Sequence, residues 1–112
     1  RSFAPVNADH GRYWTTTYPT TALFPMRAVQ RQAAATDHAA ATMPLLGLLA
    51  EGDRVVSPAA TRAALASWGG PVRIEVIAGA DDPSQHVISG RILSPSTVDR
   101  TTEIIAGWIA GL

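Results

Sequence analysis

Apolar and polar positions follow different periods along the chain, and each change of period marks an element. Residues 1–21 show no period at all. Pro5, Asn7, Asp9, Gly11 and Pro19 punctuate this stretch, and Tyr13, Trp14 and Tyr18 interrupt it with aromatics. It reads as an irregular segment that needs another surface to pack against. From Thr20 or Thr21 to about Ala41 the residues are good helix formers. Leu23, Met26 and Val29 or Gln30 give a weak stripe, with Thr20 or Thr21 as N-cap, Pro25 in the first turn and a break near residues 35–37.

A continuous apolar run then spans Leu45 to Ala50, bounded by Pro44 and by Glu51, Gly52 and Asp53. Such a run predicts a strand buried on both faces, as in a parallel sheet, although its lack of β-branched residues leaves a short helix as the alternative. Ser57 and Pro58 open a helix, the first as cap and the second preset for the first helical position. It extends to about Trp68 and is ended by Gly69 and Gly70. Val72, Ile74 and Val76 alternate with Arg73, Glu75 and Ile77, which predicts the second strand. A polar loop, residues 79–90, follows. Ser94 and Pro95 lead into a last helix capped by Thr97 or Asp99, with Ile104, Ile105, Trp108, Ile109 and Leu112 on one face. The order helix, strand, helix, strand, helix predicts an α/β fold with a parallel sheet.

Two loops carry candidate chemistry. In open α/β sheets, sites form outside the carboxyl ends of the strands. Asp53 lies in the loop after the first predicted strand and His86 in the loop after the second. Adjacent parallel strands would bring the two within side-chain reach. A carboxylate bonded to one imidazole nitrogen fixes the tautomer and stabilises the imidazolium that forms when the other nitrogen takes a proton. Either residue alone reads more simply as a turn or loop residue; the pairing at consecutive strand ends favours the catalytic reading. Asp81 and Asp82 are rival acids, but their place before Pro83 suits a turn. A nucleophile is not found. No Gly-x-Ser-x-Gly elbow exists, Ser57 serves as a cap, Ser84 is too near His86 along the chain, and Ser89 before Gly90 forms no elbow. His10 and His38 lack the further ligands of a metal triad and read as surface histidines. Trp68 and Trp108 read as core residues, and Arg54 as the partner of a surface carboxylate.

Composition narrows the classes. The net charge is zero, which argues against a nucleic-acid surface. All nine basic residues are Arg, a coding bias that says little about function. Without cysteine there is no disulfide, thiolate metal site or Cys nucleophile. No metal or other cofactor is expected. No apolar run approaches the ~20 residues of a membrane span. The chain starts at Arg1 without a signal pattern, which reads as a processed chain or a fragment, and a cytoplasmic location is the expectation.

Residues 44–58, PLLGLLAEGDRVVSP, resemble the last-but-one strand and acid loop of α/β-hydrolases. Residues 82–95, DPSQHVISGRILSP, resemble the catalytic histidine loop of the lysophospholipase and monoacylglycerol-lipase-like branch, and the closing helix is similar to that fold's last helix. The resemblance covers roughly residues 20–112. It implies the C-terminal portion of an α/β-hydrolase: two parallel strands, flanking helices and part of a lid. Residues 1–41 would be the lid exit and a flanking helix, and residues 42–112 the portion carrying both loops. Asp53 would be the triad acid and His86 the base of a serine hydrolase acting on a small-molecule ester. The nucleophile, oxyanion hole and earlier strands of that fold are absent from these residues. The implied partner is therefore the N-terminal half of the same hydrolase, or failing that another copy of the chain. The alternatives are a non-catalytic binding or structural module, or the same fold turned to epoxide, haloalkane or peptide hydrolysis.

Overall fold

The computed structural model describes residues 1–112. The protein is mixed α/β, with two parallel strands and four α-helices: α1 (Ala8–Tyr13), α2 (Leu23–Ala34), β1 (Leu45–Leu49), α3 (Pro58–Ala66), β2 (Val72–Val76) and α4 (Val98–Ala110). It divides into two compact units, Arg1–Asp37 and His38–Leu112. No helix is long and apolar enough to cross a membrane.

In the unit Arg1–Asp37, the stretch that lacks periodicity is nonetheless ordered. Asn7 caps α1, its side chain accepting from the His10 amide at 2.8 Å. An antiparallel bridge joins Ser2 to Thr17. His10 is buried, contrary to the surface position expected for it. Its Nδ1 accepts from the Val6 amide at 3.1 Å, and its ring lies 5.8 Å from that of Phe3 and 5.2 Å from that of Trp14. A histidine among aromatics with its nitrogen engaged by backbone is a satisfied packing residue. The helix α2 stops at Ala34, at the break expected near residues 35–37, and a separate 3-10 turn covers His38–Ala40 in the other unit. Neither Thr20 nor Thr21 caps α2. They form a 3-10 turn ahead of it, and Ala22 occupies the cap position without a side-chain bond. Pro25 does fall in the first turn, where its missing N–H costs nothing.

In the unit His38–Leu112, β1 and β2 pair in parallel, Leu45 opposite Val72 and Leu49 opposite Val76. Leu45 N–H donates to the Pro71 carbonyl at 2.9 Å, and the Leu49 carbonyl accepts from Ile77 N–H at 2.9 Å. Because backbone groups alternate in direction along a strand, those of Leu46 and Leu48 face outward along the free edge of β1. The strand is half-buried over Leu45–Leu48 and becomes fully buried only at Leu49, so it is not enclosed on both faces over its length.

The connection from β1 to β2 runs through α3. Ser57 caps it, its hydroxyl oxygen accepting from the Ala60 amide at 3.3 Å, and Pro58 takes the first helical position. The helix packs across Gly47, where a β-carbon would come within 2.6 Å of Leu65. Gly69 and Gly70 follow. A β-carbon on Gly70 would lie 2.6 Å from the Thr42 carbonyl oxygen, so the close passage of two backbones requires glycine there. Trp68 is half-buried, its indole N–H donating to the Met43 carbonyl at 2.8 Å.

The buried apolar residues are Leu49, Ala50, Ile77, Ala80 and Leu93. They sit at the carboxyl ends of both strands and in the loop after β2. The tightest packing of this unit therefore lies under the two loops that carry Asp53 and His86. The apolar face of α4 is less covered than its periodicity predicts. Ile104 and Trp108 are half-buried, while Ile105, Ile109 and Leu112 are exposed. Neither expected cap serves this helix. Thr97 stands at the cap position but turns its hydroxyl to the Ile88 and Ser94 carbonyls, at 2.7 and 3.1 Å.

Candidate active site

The chain leaves β1 through Ala50 and turns at Glu51–Gly52, with Asp53 N–H returning to the Ala50 carbonyl at 3.3 Å. Asp53 then organises its own loop. One carboxylate oxygen, Oδ1, accepts from the amides of Val55 and Val56 at 2.7 and 2.9 Å, an Asx turn that aims the other oxygen away from the loop. That other oxygen, Oδ2, lies 3.0 Å from Nδ1 of His86. The two groups come from the carboxyl ends of adjacent parallel strands, 33 positions apart in sequence.

Asp53 is well shielded, with 14 % of its side chain exposed, whereas His86 keeps 42 %. Partial removal from water pushes the Asp53 carboxyl up. The bonds from His86, Val56 and Val55 and the nearby imidazole outweigh that, and the group settles below the usual carboxylate range. Asp53 is therefore ionised at neutral pH and can only accept, so Nδ1 of His86 is the donor. Nε2 is left as the nitrogen that can take or give a proton. A hydroxyl brought to Nε2 would find a general base whose tautomer is already fixed.

The two loops are tied together by more than this contact. Arg54 N–H donates to the Ser84 carbonyl at 2.9 Å, and the Arg54 guanidinium donates to the Pro83 carbonyl. Arg54 is thus a clamp between the acid loop and the histidine loop, not the partner of a surface carboxylate. Gln85 adopts φ 57°, the left-handed region, and its side-chain amide donates to the carbonyls of Ala80 and Asp82 at 2.7 and 3.1 Å.

Asp81 and Asp82 do not compete with Asp53 for the imidazole. Asp81 bonds Ser96, at 2.7 Å from the hydroxyl and 2.9 Å from the amide, and those bonds hold its carboxyl below the usual range. Asp82 is buried inside the loop. Burial pushes its carboxyl up, but the Ser84 hydroxyl at 2.6 Å and the amides of Val87, Ser84 and His86 at 2.9, 3.2 and 2.9 Å overcome this. Its pKa falls to about 2. Four donors converge on one carboxylate, and the turn reading of this residue fits its place in the structure.

Of the six serines of this unit, all but Ser89 are spent on structure, Ser96 by its bond to Asp81. Ser57 caps α3, Ser67 donates to the Ala64 carbonyl at 2.7 Å, Ser84 donates to Asp82, and fully buried Ser94 donates to the Val87 carbonyl. No group of three or more His, Asp or Glu is placed to hold a metal ion. A separate depression of about 290 Å³ is lined by His38, Leu45, Thr61, Ala64, Leu65 and Trp68. It includes neither Asp53 nor His86. Half-buried His38 stands at this depression with Nδ1 3.4 Å from the Ser67 hydroxyl. That hydroxyl already donates to the Ala64 carbonyl at 2.7 Å.

The pairing of Asp53 with His86 was accessible from the sequence because both residues follow strand-like runs. Arg54, Asp82 and Ser94 were missed as the residues that hold the pair. The Asp-Pro-Ser spacing signals a turn, but nothing local shows that its carboxylate also receives the amides of His86 and Val87. Comparison with protein-family models, with curated proteins and with solved structures finds no match.

Proposed function

We propose that this protein is the acid-and-base part of a serine ester hydrolase of the α/β-hydrolase type, with Asp53 orienting His86 as general base. The observation that carries the reading is the 3.0 Å contact between Asp53 Oδ2 and His86 Nδ1 at the ends of adjacent parallel strands. An ionised acid, a fixed tautomer and an exposed ring suit an imidazole that must exchange protons with substrate. The serine and the oxyanion donors come from a partner segment, since five of the six serines of this unit are committed to structure and the sixth, Ser89, stands in no Gly-x-Ser-x-Gly elbow. The substrate is an acyl ester. Nε2 removes the serine proton as the oxygen bonds the ester carbonyl carbon. The imidazolium then returns that proton to the alcohol as the carbon–oxygen bond breaks. Water repeats the two transfers on the acyl-enzyme, releasing acid and free serine.

The test is hydrolysis of p-nitrophenyl acyl esters by the gene product that contains this sequence. His86→Ala should lower kcat by at least roughly 10³-fold, and Asp53→Ala by a comparable factor. The 112 residues alone should show neither turnover nor a covalent adduct with a serine-directed phosphonate. Esterase activity retained in His86→Ala defeats the assignment, and an adduct on Ser84 or Ser89 defeats the external nucleophile.

A further inference from the structure

We infer that Asp82, held by Ser94, is the positioning residue that sets the imidazole of His86 against Asp53; the inference deepens the hydrolase reading and rests on it. His86 has a side chain 42 % exposed, so packing around the ring does little to fix it. Its place depends on its backbone. The amides of His86 and of the next residue, Val87, both donate to the same oxygen, Asp82 Oδ2, at 2.9 Å each. Asp82 is in turn fixed from behind. Its own N–H donates to the Ser94 hydroxyl oxygen at 3.1 Å, and that hydroxyl donates to the Val87 carbonyl. The result is a closed ring, Asp82 amide to Ser94 to Val87 carbonyl, and Val87 amide back to the Asp82 carboxylate. Asp82 is 5 % exposed and Ser94 0 %, so these bonds operate away from water, where they are strong and where an unpaired member is costly. The Ser84 hydroxyl, at 2.6 Å, completes the grip on Oδ2.

The direction of the bonds separates Asp82 from Asp53. Asp82 touches only the main chain of His86, whereas Asp53 touches its ring. Asp82 therefore acts through His86 and has no proton to exchange with substrate. A carboxylate that binds two consecutive amides fixes both the position and the rotation of the peptide between them. The Cα–Cβ bond of His86 follows from that, and with it the line from Nδ1 to Asp53. A shift of about 1 Å at such a point is enough to cost on the order of 100-fold in rate.

The readout is the tautomer of the His86 ring, followed by long-range proton–nitrogen correlation NMR at alkaline pH in the gene product that contains this sequence. With both acids intact, the proton sits on Nδ1. Asp53→Ala should move it to Nε2. Asp82→Ala, which leaves no acceptor for the His86 and Val87 amides, should do the same, with the β1 and β2 amide signals in place, and should lower kcat at least tenfold with KM unchanged. Asp82→Ala that keeps the Nδ1–H tautomer overturns the inference. If Asp82→Ala erases the strand signals, Ser84→Ala decides, because it removes one bond to the same carboxylate oxygen and leaves the charge. A mixture of tautomers supports the inference, and a wild-type population overturns it. Asp53→Ala that leaves the tautomer unchanged breaks the pair itself, and so marks a failure of the hydrolase reading and not of Asp82 alone.

Discussion

Acid should weaken the unit His38–Leu112 mainly through Asp82, and the size of the effect can be worked from its surroundings. Four donors hold the folded-state pKa at about 2, against an ordinary aspartate value of about 3.9 in the unfolded chain. The folded value is depressed, so the stabilisation is fully present above the unfolded value and is lost as pH falls through the folded one. The gap between the two values corresponds to about 2.5 kcal/mol, of which about 2 kcal/mol disappears between pH 5 and pH 2. Asp53 and Asp81 are also lowered and act with the same sign. Asp82→Asn removes the charge and, with its amide oxygen at the Oδ2 position, turns its N–H₂ toward the Ser84 N–H, itself a donor, so at pH 7 it should cost about the same ~2.5 kcal/mol. The pH dependence then gives the decisive comparison. The wild type should lose stability steeply from pH 5 to pH 2 and the variant much less, so that the two converge to within about 1 kcal/mol at pH 2. Urea unfolding followed by the fluorescence of Trp68 and Trp108 measures this, with Trp14→Phe in both proteins to silence the other unit. Parallel loss of stability in wild type and variant would refute the reasoning, because it would place the titrating groups elsewhere.

Two further outcomes are expected. Gly70→Ala should destabilise by about 3 kcal/mol, since its β-carbon meets the backbone of Thr42 and Met43, which cannot swing aside as a side chain can; an unchanged urea midpoint would refute that. The isolated 112-residue chain should associate, with a partner segment or with itself, because the outward backbone groups of Leu46 and Leu48 form an uncharged edge. Size-exclusion chromatography with light scattering tests this, and a monodisperse monomer that unfolds cooperatively would contradict it.

The parts of the fold legible in the sequence were those decided by neighbours in the chain. Leu45–Leu49 and Val72–Val76 read as strands from local pattern, the first from a short apolar run bounded by Pro44 and Glu51, the second from β-branched residues alternating with Arg73 and Glu75. Ser57, Pro58, Gly69 and Gly70 marked the ends of α3 through capping and glycine chemistry that acts within one turn. Asp53 and His86 could be paired because a parallel sheet brings the ends of its strands together, whatever fills the space between. What could not be read was decided across distance. The partners of the Ser94 hydroxyl lie seven and 12 positions away, and that of the Arg54 guanidinium lies 29 away, and no local preference reports them. Thr97 was expected as a cap because its type suits one, but the loop carbonyl of Ile88 took its hydroxyl. His10 looked like a surface residue because the fold of residues 1–21 leaves no periodic trace.

The last helix extends this argument to function. Periodicity placed five apolar residues on one face of α4, yet only Ile104 and Trp108 are half-buried, and Ile109 and Leu112 remain 58 % and 71 % exposed. A period states which side of a helix avoids water, not which polypeptide covers it. The free edge of β1 has the same character: the side chains are apolar, the strand is paired on one side, and the outward groups of Leu46 and Leu48 lack a neighbouring strand. β2 differs, because it carries the ion pair between Arg73 and Glu75, at 2.7 Å, and charges of this kind blunt an outer edge. The two edges of the sheet are thus chemically unequal, and β1 is the one suited to continue it. A nucleophile-bearing segment that added a strand to β1 would approach on the side of Asp53, whose loop leaves that strand, with His86 beyond it. The proposed chemistry and the uncovered edge therefore make the same demand. Both call for a partner strand next to Leu46 and Leu48 whose carboxyl end stands beside the acid loop.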